Sequence, residues 1–133
     1  MKIEVSNGEI LDKYSILEIK LENIADEDKR TNIINEYQSL TPNITDIFAN
    51  ADRNGDLTGL EALYTDLLNV NQTLWNIEDM IRDCEREESF GEDFVELARS
   101  VYYTNDDRSD VKKAINKLTG SLLVEEKSYE DYK

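Results

Sequence analysis

The sequence predicts an all-α fold: a bundle of four to five helices organised around one long central helix from about Leu60 to Cys84. Three observations carry that expectation. Apolar residues recur at alternating spacings of three and four along most of the chain, the period of a half-buried helix. No segment of useful length alternates apolar and polar residues as a strand does. The punctuation is sparse, with one proline (Pro42) and five glycines, most of them beside an expected helix boundary. With 133 residues, the chain has room for a single domain over residues 1–133, large enough to need neither disulfide nor structural metal.

The first helix is expected from about Asn7 to Ile24, with Ile10, Tyr14, Leu17, Leu21 and Ile24 on one face and Ile16 and Ile19 widening it. Ser6 and Glu9 form a capping box at its start, the hydroxyl accepting from an amide that the helix itself leaves unpaired. Asp26 caps a second helix through Ile33, Ile34, Tyr37 and Leu40, with Glu27 and Asp28 suited to the positive end of its dipole. Thr41-Pro42 should end it, because proline disfavours the α conformation in the residue before it.

Residues 42–58 read as an irregular loop with a short apolar patch at Ile44, Ile47 and Phe48. A second capping box, Thr58 with Glu61, opens the long helix. Its stripe is Leu60, Leu63, Leu67, Val70, Leu74, Ile77, Ile81 and Cys84, with Tyr64, Leu68 and Trp75 on one flank. The first two helices, or a second subunit, must cover a stripe of that length. A third box, Ser89 with Glu92, starts a helix carrying Phe94, Leu97, Ala98, Val101 and Tyr102, which polar residues Thr104 to Asp107 interrupt. A fifth helix carries Val111, Ile115 and Leu118 and stops at Gly120. An apolar cluster, Leu122 to Val124, precedes a charged tail over residues 125–133.

Composition excludes more than it suggests. There is no histidine, which removes histidine-based triads, the usual zinc sites and the ligand sets of di-iron bundles. Thirty acidic residues against fifteen basic ones give a net charge of −15, which repels phosphate backbones and anionic lipid. Direct nucleic-acid and membrane binding are therefore not expected. No apolar run is long enough to span a bilayer, and the lone Cys84 forms no internal disulfide, so the expected address is the cytoplasm.

Two motifs point to metals. Asn50, Asp52, Asn54 and Asp56 surround Gly55 and are followed by Glu61, at the spacing of an EF-hand loop that offers oxygens to Ca2+. The competing account is a solvated turn entering the long helix, with Gly55 at positive φ. Glu85 with Glu88, and Asp107 with Asp110, are acidic pairs of the kind by which helical nucleotide pyrophosphohydrolases hold magnesium, but such pairs arise freely in a chain this acidic.

Several phrases resemble an uncharacterised small all-helical family of unknown function from bacteria and phages of marine cyanobacteria. They are Val5 to Lys13, Ile16 to Leu21, the residues Asn71, Trp75, Ile77, Glu78 and Asp79, and Phe94 to Tyr102. Thr104-Asn105-Asp106, Ile115-Asn116 and Leu123 to Tyr129 continue the likeness, which lapses over residues 41–60. The resemblance implies a helical domain and transfers no catalytic motif.

With no catalytic constellation, the favoured function is a non-catalytic protein-interaction or structural module, homodimeric or bound to a protein partner through its apolar stripe. An acidic mimic of nucleic acid is diluted by interspersed lysines such as Lys112, Lys113 and Lys117. The alternatives are a calcium-binding helical protein and a small-ligand or nucleotide-processing helical enzyme. The last would use Asn71, Trp75, Glu78, Arg82, Asn105, Asp106 and Arg108, if the helix of Trp75 packs on the helices that follow.

Overall fold

Helix α1 (Asn7–Asn23) starts where the sequence places it, and its four first amides all find acceptors. Ser121 Oγ accepts from the Asn7 amide at 3.1 Å, Asn116 Oδ1 from Gly8 at 2.6 Å, Ser6 Oγ from Glu9 at 3.2 Å, and the Ser6 carbonyl from Ile10 at 3.1 Å. Two of those acceptors come from the far end of the chain, so the cap also ties the two ends together. Arg30 donates to the carbonyls of Leu21 and Ile24 and closes the other end of α1. The computed structural model describes residues 1–123, 126–128 and 130–132. Val124 of the expected apolar cluster, and Glu125, Tyr129 and Lys133 of the charged tail, lie outside the described residues.

Helix α2 (Glu27–Arg53) is capped by Asp26 as expected but does not end at Pro42. An interior proline removes one backbone donor and crowds the preceding turn, at about 3 kcal/mol. Here the carbonyl deprived of its donor belongs to exposed Gln38, where water can serve it. Packing supplies the rest, because Ile33, Tyr37, Leu40, Ile44, Ile47 and Ala51 form one unbroken stripe across the proline. Ile47 and Ala51 join Leu11, Leu60, Leu67 and Ile115 in the core, with Ile44 and Phe48 against them. The expected loop over 42–58 therefore shrinks to Asn54, Gly55 (φ 79) and Asp56.

Helix α3 (Leu57–Arg86) begins after Asp56, one residue before the hydroxyl expected to cap it. Ser89 does not cap the next helix either, because it belongs to the end of α3. Its amide donates to the Cys84 carbonyl at 2.9 Å and the Glu88 amide to the Glu85 carbonyl at 3.1 Å, with Glu88 left-handed at φ 52. That is a Schellman ending built on a non-glycine residue. Helix α4 (Glu92–Thr119) then runs straight through Thr104 to Asp107, where one helix stands in place of the two expected. It ends at left-handed Gly120.

The fold is thus all-α, with four helices and no strand among the described residues. Helix α3 does not stand out as a central spine: α2, α3 and α4 have 27, 30 and 28 residues. The most enclosed element is the 17-residue α1, which buries Gly8, Leu11, Asp12, Tyr14, Ser15, Leu17 and Ile19. No described helix is long and apolar enough to cross a membrane.

Candidate functional site

The site is built from the polar side of α1. Gly8, Asp12, Ser15 and Ile19 recur at spacings of four, three and four, so they share one face, and all are buried. Gly8 lets α4 approach closely: a Cβ there would lie 2.5 Å from the Lys112 carbonyl oxygen and 2.9 Å from Asn116 Oδ1. That approach brings Arg108 onto Asp12. Its Nε donates to Asp12 Oδ1 at 2.9 Å, and a second guanidinium nitrogen donates to Oδ2. Lys112 Nζ lies 4.0 Å from Asp12 Oδ2 and 2.6 Å from Glu9 Oε2.

Asn71 enters from α3. Its amide nitrogen donates to Asp12 Oδ1 at 2.9 Å and to Ser15 Oγ at 2.8 Å, and Ser15 in turn donates to the Asp12 carbonyl at 2.7 Å. A carboxylate only accepts, so the nitrogen of Asn71 must face Asp12. Both amide hydrogens are spent there, and what Asn71 has left to offer is its oxygen. Asp12 is 1% exposed, which makes its pairing obligatory: an ionised carboxylate stripped of water is tolerated only when donors surround it.

A cleft of about 500 Å³ opens above this network, in the size range of small-molecule sites. Its wall on α3 is Asn71, Leu74, Trp75, Glu78, Asp79 and Arg82, spaced so that one helix face supplies them all. Asn105 and Arg108 of α4 form the other wall, and Ile16 of α1 contributes from below. Glu78 and Arg82 pair at 2.9 Å. The lining carries two acids and two arginines, so its charges balance inside a strongly anionic protein.

Six of the seven residues that the sequence grouped meet here: Asn71, Trp75, Glu78, Arg82, Asn105 and Arg108. Asp106 does not. It points along α4 toward the tail, where it accepts from the Tyr132 hydroxyl while the Tyr132 ring packs on Tyr102 and Tyr103. The oxygens of the EF-hand-like motif are spread over three pieces of structure. Asn50 and Asp52 lie in the last turn of α2, Asn54 and Asp56 flank Gly55, and Glu61 lies within α3. Asn50 Oδ1 accepts from Arg53. Among the described residues, no three side chains of His, Cys, Asp or Glu gather as a metal ion would require.

Sequence reasoning missed Asp12 and Ser15 as the groups that position the site. The signal was the small and polar stripe Gly8-Asp12-Ser15 set between apolar faces of α1, which marks a close, hydrogen-bonded helix contact rather than a solvent face.

A second polar cluster lies further along α1. Tyr37 stacks on Tyr14 with ring centroids 4.2 Å apart and donates to Glu18 Oε1 at 3.4 Å. The Tyr64 hydroxyl is buried with no partner at hydrogen-bonding geometry among the described residues, although Glu18 is near enough to act on it electrostatically. Burial pushes the Glu18 carboxyl up from its ordinary value, and burial raises both phenols, followed at Tyr37 by the neighbouring Tyr14 and then Glu18, and at Tyr64 by the Glu18 carboxylate.

No curated protein and no solved structure matches the chain. A family model does match, over residues 1–132, and it includes the stretch 41–60 where the resemblance in the sequence lapsed. The chain therefore belongs to a family of unknown function, DUF6165.

Proposed function

We propose that the protein binds a small polar molecule in the cleft between α3 and α4. The observation that carries this is Asn71, which is 5% exposed, fixed through its nitrogen by Asp12 and Ser15, and left with an oxygen to present to the cleft. A buried carboxamide held that rigidly is a preorganised binding group, because little freedom is lost when a ligand meets it. Trp75 supplies a flat apolar wall beside it. Binding rather than catalysis is the simpler reading, since Arg108 and Glu78, the groups best placed for chemistry, are engaged by Asp12 and Arg82.

The test is a thermal-shift screen with amino acids, monosaccharides and nucleosides. A ligand at about a hundred times its Kd adds roughly 2.7 kcal/mol to the folded state, which raises the melting temperature measurably. At least one class should do so in the wild type and not in Trp75→Ala. No shift with any class, or a shift that survives Trp75→Ala, would count against the cleft.

A second reading, a protein partner or a second copy of the chain, draws support from a different surface. Ile3, Val5, Leu122 and Leu123 are exposed around a groove that Ile10 and Leu40 border. The α3 stripe, by contrast, spends Leu60, Leu67 and Ile77 within the chain. Light scattering across a concentration series separates the two states, and Leu122→Glu should return any dimer to monomer.

A further inference from the structure

We infer that the occupant of the cleft is an uncharged nucleobase or nucleoside, its ring stacked on Trp75 and its edge paired with the carboxamides of Asn71 and Asn105. This rests on the cleft being a binding site. The charged groups of the lining are largely engaged already, Arg82 by Glu78 and Arg108 by Asp12. Apart from the Asp79 carboxylate, the hydrogen-bonding capacity left over is neutral. Among the described residues, nothing donates to the Asn71 oxygen, and neither the Asn105 carboxamide nor the Trp75 indole N–H has a partner.

The chemistry of those groups selects the ligand. The Asn71 oxygen is a fixed acceptor, because the buried Asp12 carboxylate forbids the amide to flip, so the ligand must present a donor there, an N–H or an O–H. Asn105 offers donor and acceptor side by side, the complement of a heterocycle edge that carries both. An aromatic side chain rewards a flat partner by about 1–3 kcal/mol for each stacked base. A sugar offers the indole only C–H groups and no π-face. A carboxylate or phosphate would set an acceptor near the Asn71 oxygen and bring negative charge toward Glu78 and Asp79 in a protein of net charge −15.

Calorimetric titration with adenosine, guanosine, cytidine and uridine, and with their 5′-monophosphates, tests this. At least one nucleoside should bind, and more tightly than its own monophosphate. Asn105→Ala should weaken it roughly tenfold. That residue is half-buried and tied to nothing, so the circular dichroism and melting temperature of the variant should match the wild type, whereas Asn71→Ala would disturb Asp12 as well. Tighter binding of the monophosphate, or full affinity in Asn105→Ala, would overturn the inference. If an amino acid or sugar binds and no nucleoside does, the ligand class falls and the cleft stands. If nothing in either series binds, both fall.

Discussion

Helix α1 carries two carboxylates into the interior, and the protein treats them differently. Asp12 meets a guanidinium, an amide and the approach of a lysine, and its network is closed by Ser15. Glu18 meets phenols, Tyr37 at a long 3.4 Å and Tyr64 near enough to act on electrostatically but, among the described residues, without hydrogen-bonding geometry. The first environment supplies opposite charge and the second supplies only dipoles. That contrast explains why Asp12 can be almost wholly enclosed, whereas Glu18 stays half-buried with its carboxyl pushed up. It also places the rigid, preorganised part of the molecule under the cleft.

Removing Asp12 should break that contrast most severely. Asp12→Ala takes from Arg108, whose side chain is 28% exposed, the buried carboxylate it pairs with, and it takes from Asn71 the acceptor of one of its two amide hydrogens. Breaking a buried pair typically costs about 3–5 kcal/mol. The partial exposure of Arg108 places the expected loss near the lower end, about 3 kcal/mol, read from the midpoint of urea unfolding. A loss within the range of surface pairs, under about 1 kcal/mol, would mean the network does not hold the helices together.

The Glu18 side offers a change of opposite sign. Pro42 lies in α2 next to Thr41, whose hydroxyl pairs with Tyr14 at 3.2 Å and donates to the Tyr37 carbonyl at 2.9 Å. Pro42→Ala restores the amide that Gln38 lacks and should stabilise the protein by about 2 kcal/mol, the helix gain less what proline contributes by restricting the unfolded chain. Destabilisation would mean the proline shapes α2 for its packing on α1.

The smallest effect belongs to Glu18 itself. Its folded pKa lies above the ordinary 4.5, so the folded chain holds that proton more tightly than the unfolded one. Its contribution is therefore favourable at low pH and declines as the pH rises from the unfolded value through the folded one. Glu18→Gln removes the charge and should match or slightly exceed the wild type near about pH 7, the advantage vanishing below about pH 4. A larger loss near neutral pH would show that the charge itself is needed there, as at Asp12.

Much of the bundle was legible because its signals are local. The Ser6 and Asp26 caps and the stripe of α1 need no tertiary information, and they placed the starts of α1 and α2. The boundaries that went astray did so where packing overrides a local rule. Pro42 sits within a helix because Ile44, Ile47 and Ala51 are needed in the core. Ser89 was claimed by the end of α3 before it could cap α4.

The error in α4 bears on the site. Thr104 to Asp107 read as a break because they interrupt an apolar stripe, yet Asn105 lines the cleft there and Arg108 follows it onto Asp12. Residues on α3 and α4 could be grouped by helical spacing alone. The hidden support from Asp12 and Ser15 could not, since polar residues on an amphipathic helix look like a solvent face until a neighbour buries them.

The central claim, that the cleft is a binding site resting on the Asp12 network, is most directly tested through Trp75, the only tryptophan of the chain. Its emission should be followed while the most stabilising nucleoside is titrated, with acrylamide quenching measured at both ends. A ligand stacked on the indole should alter the emission saturably and shield Trp75 from acrylamide, with the same Kd that calorimetry gives. A nucleoside that binds by calorimetry yet leaves both the emission and the quenching of Trp75 unchanged would place its site elsewhere and contradict the account.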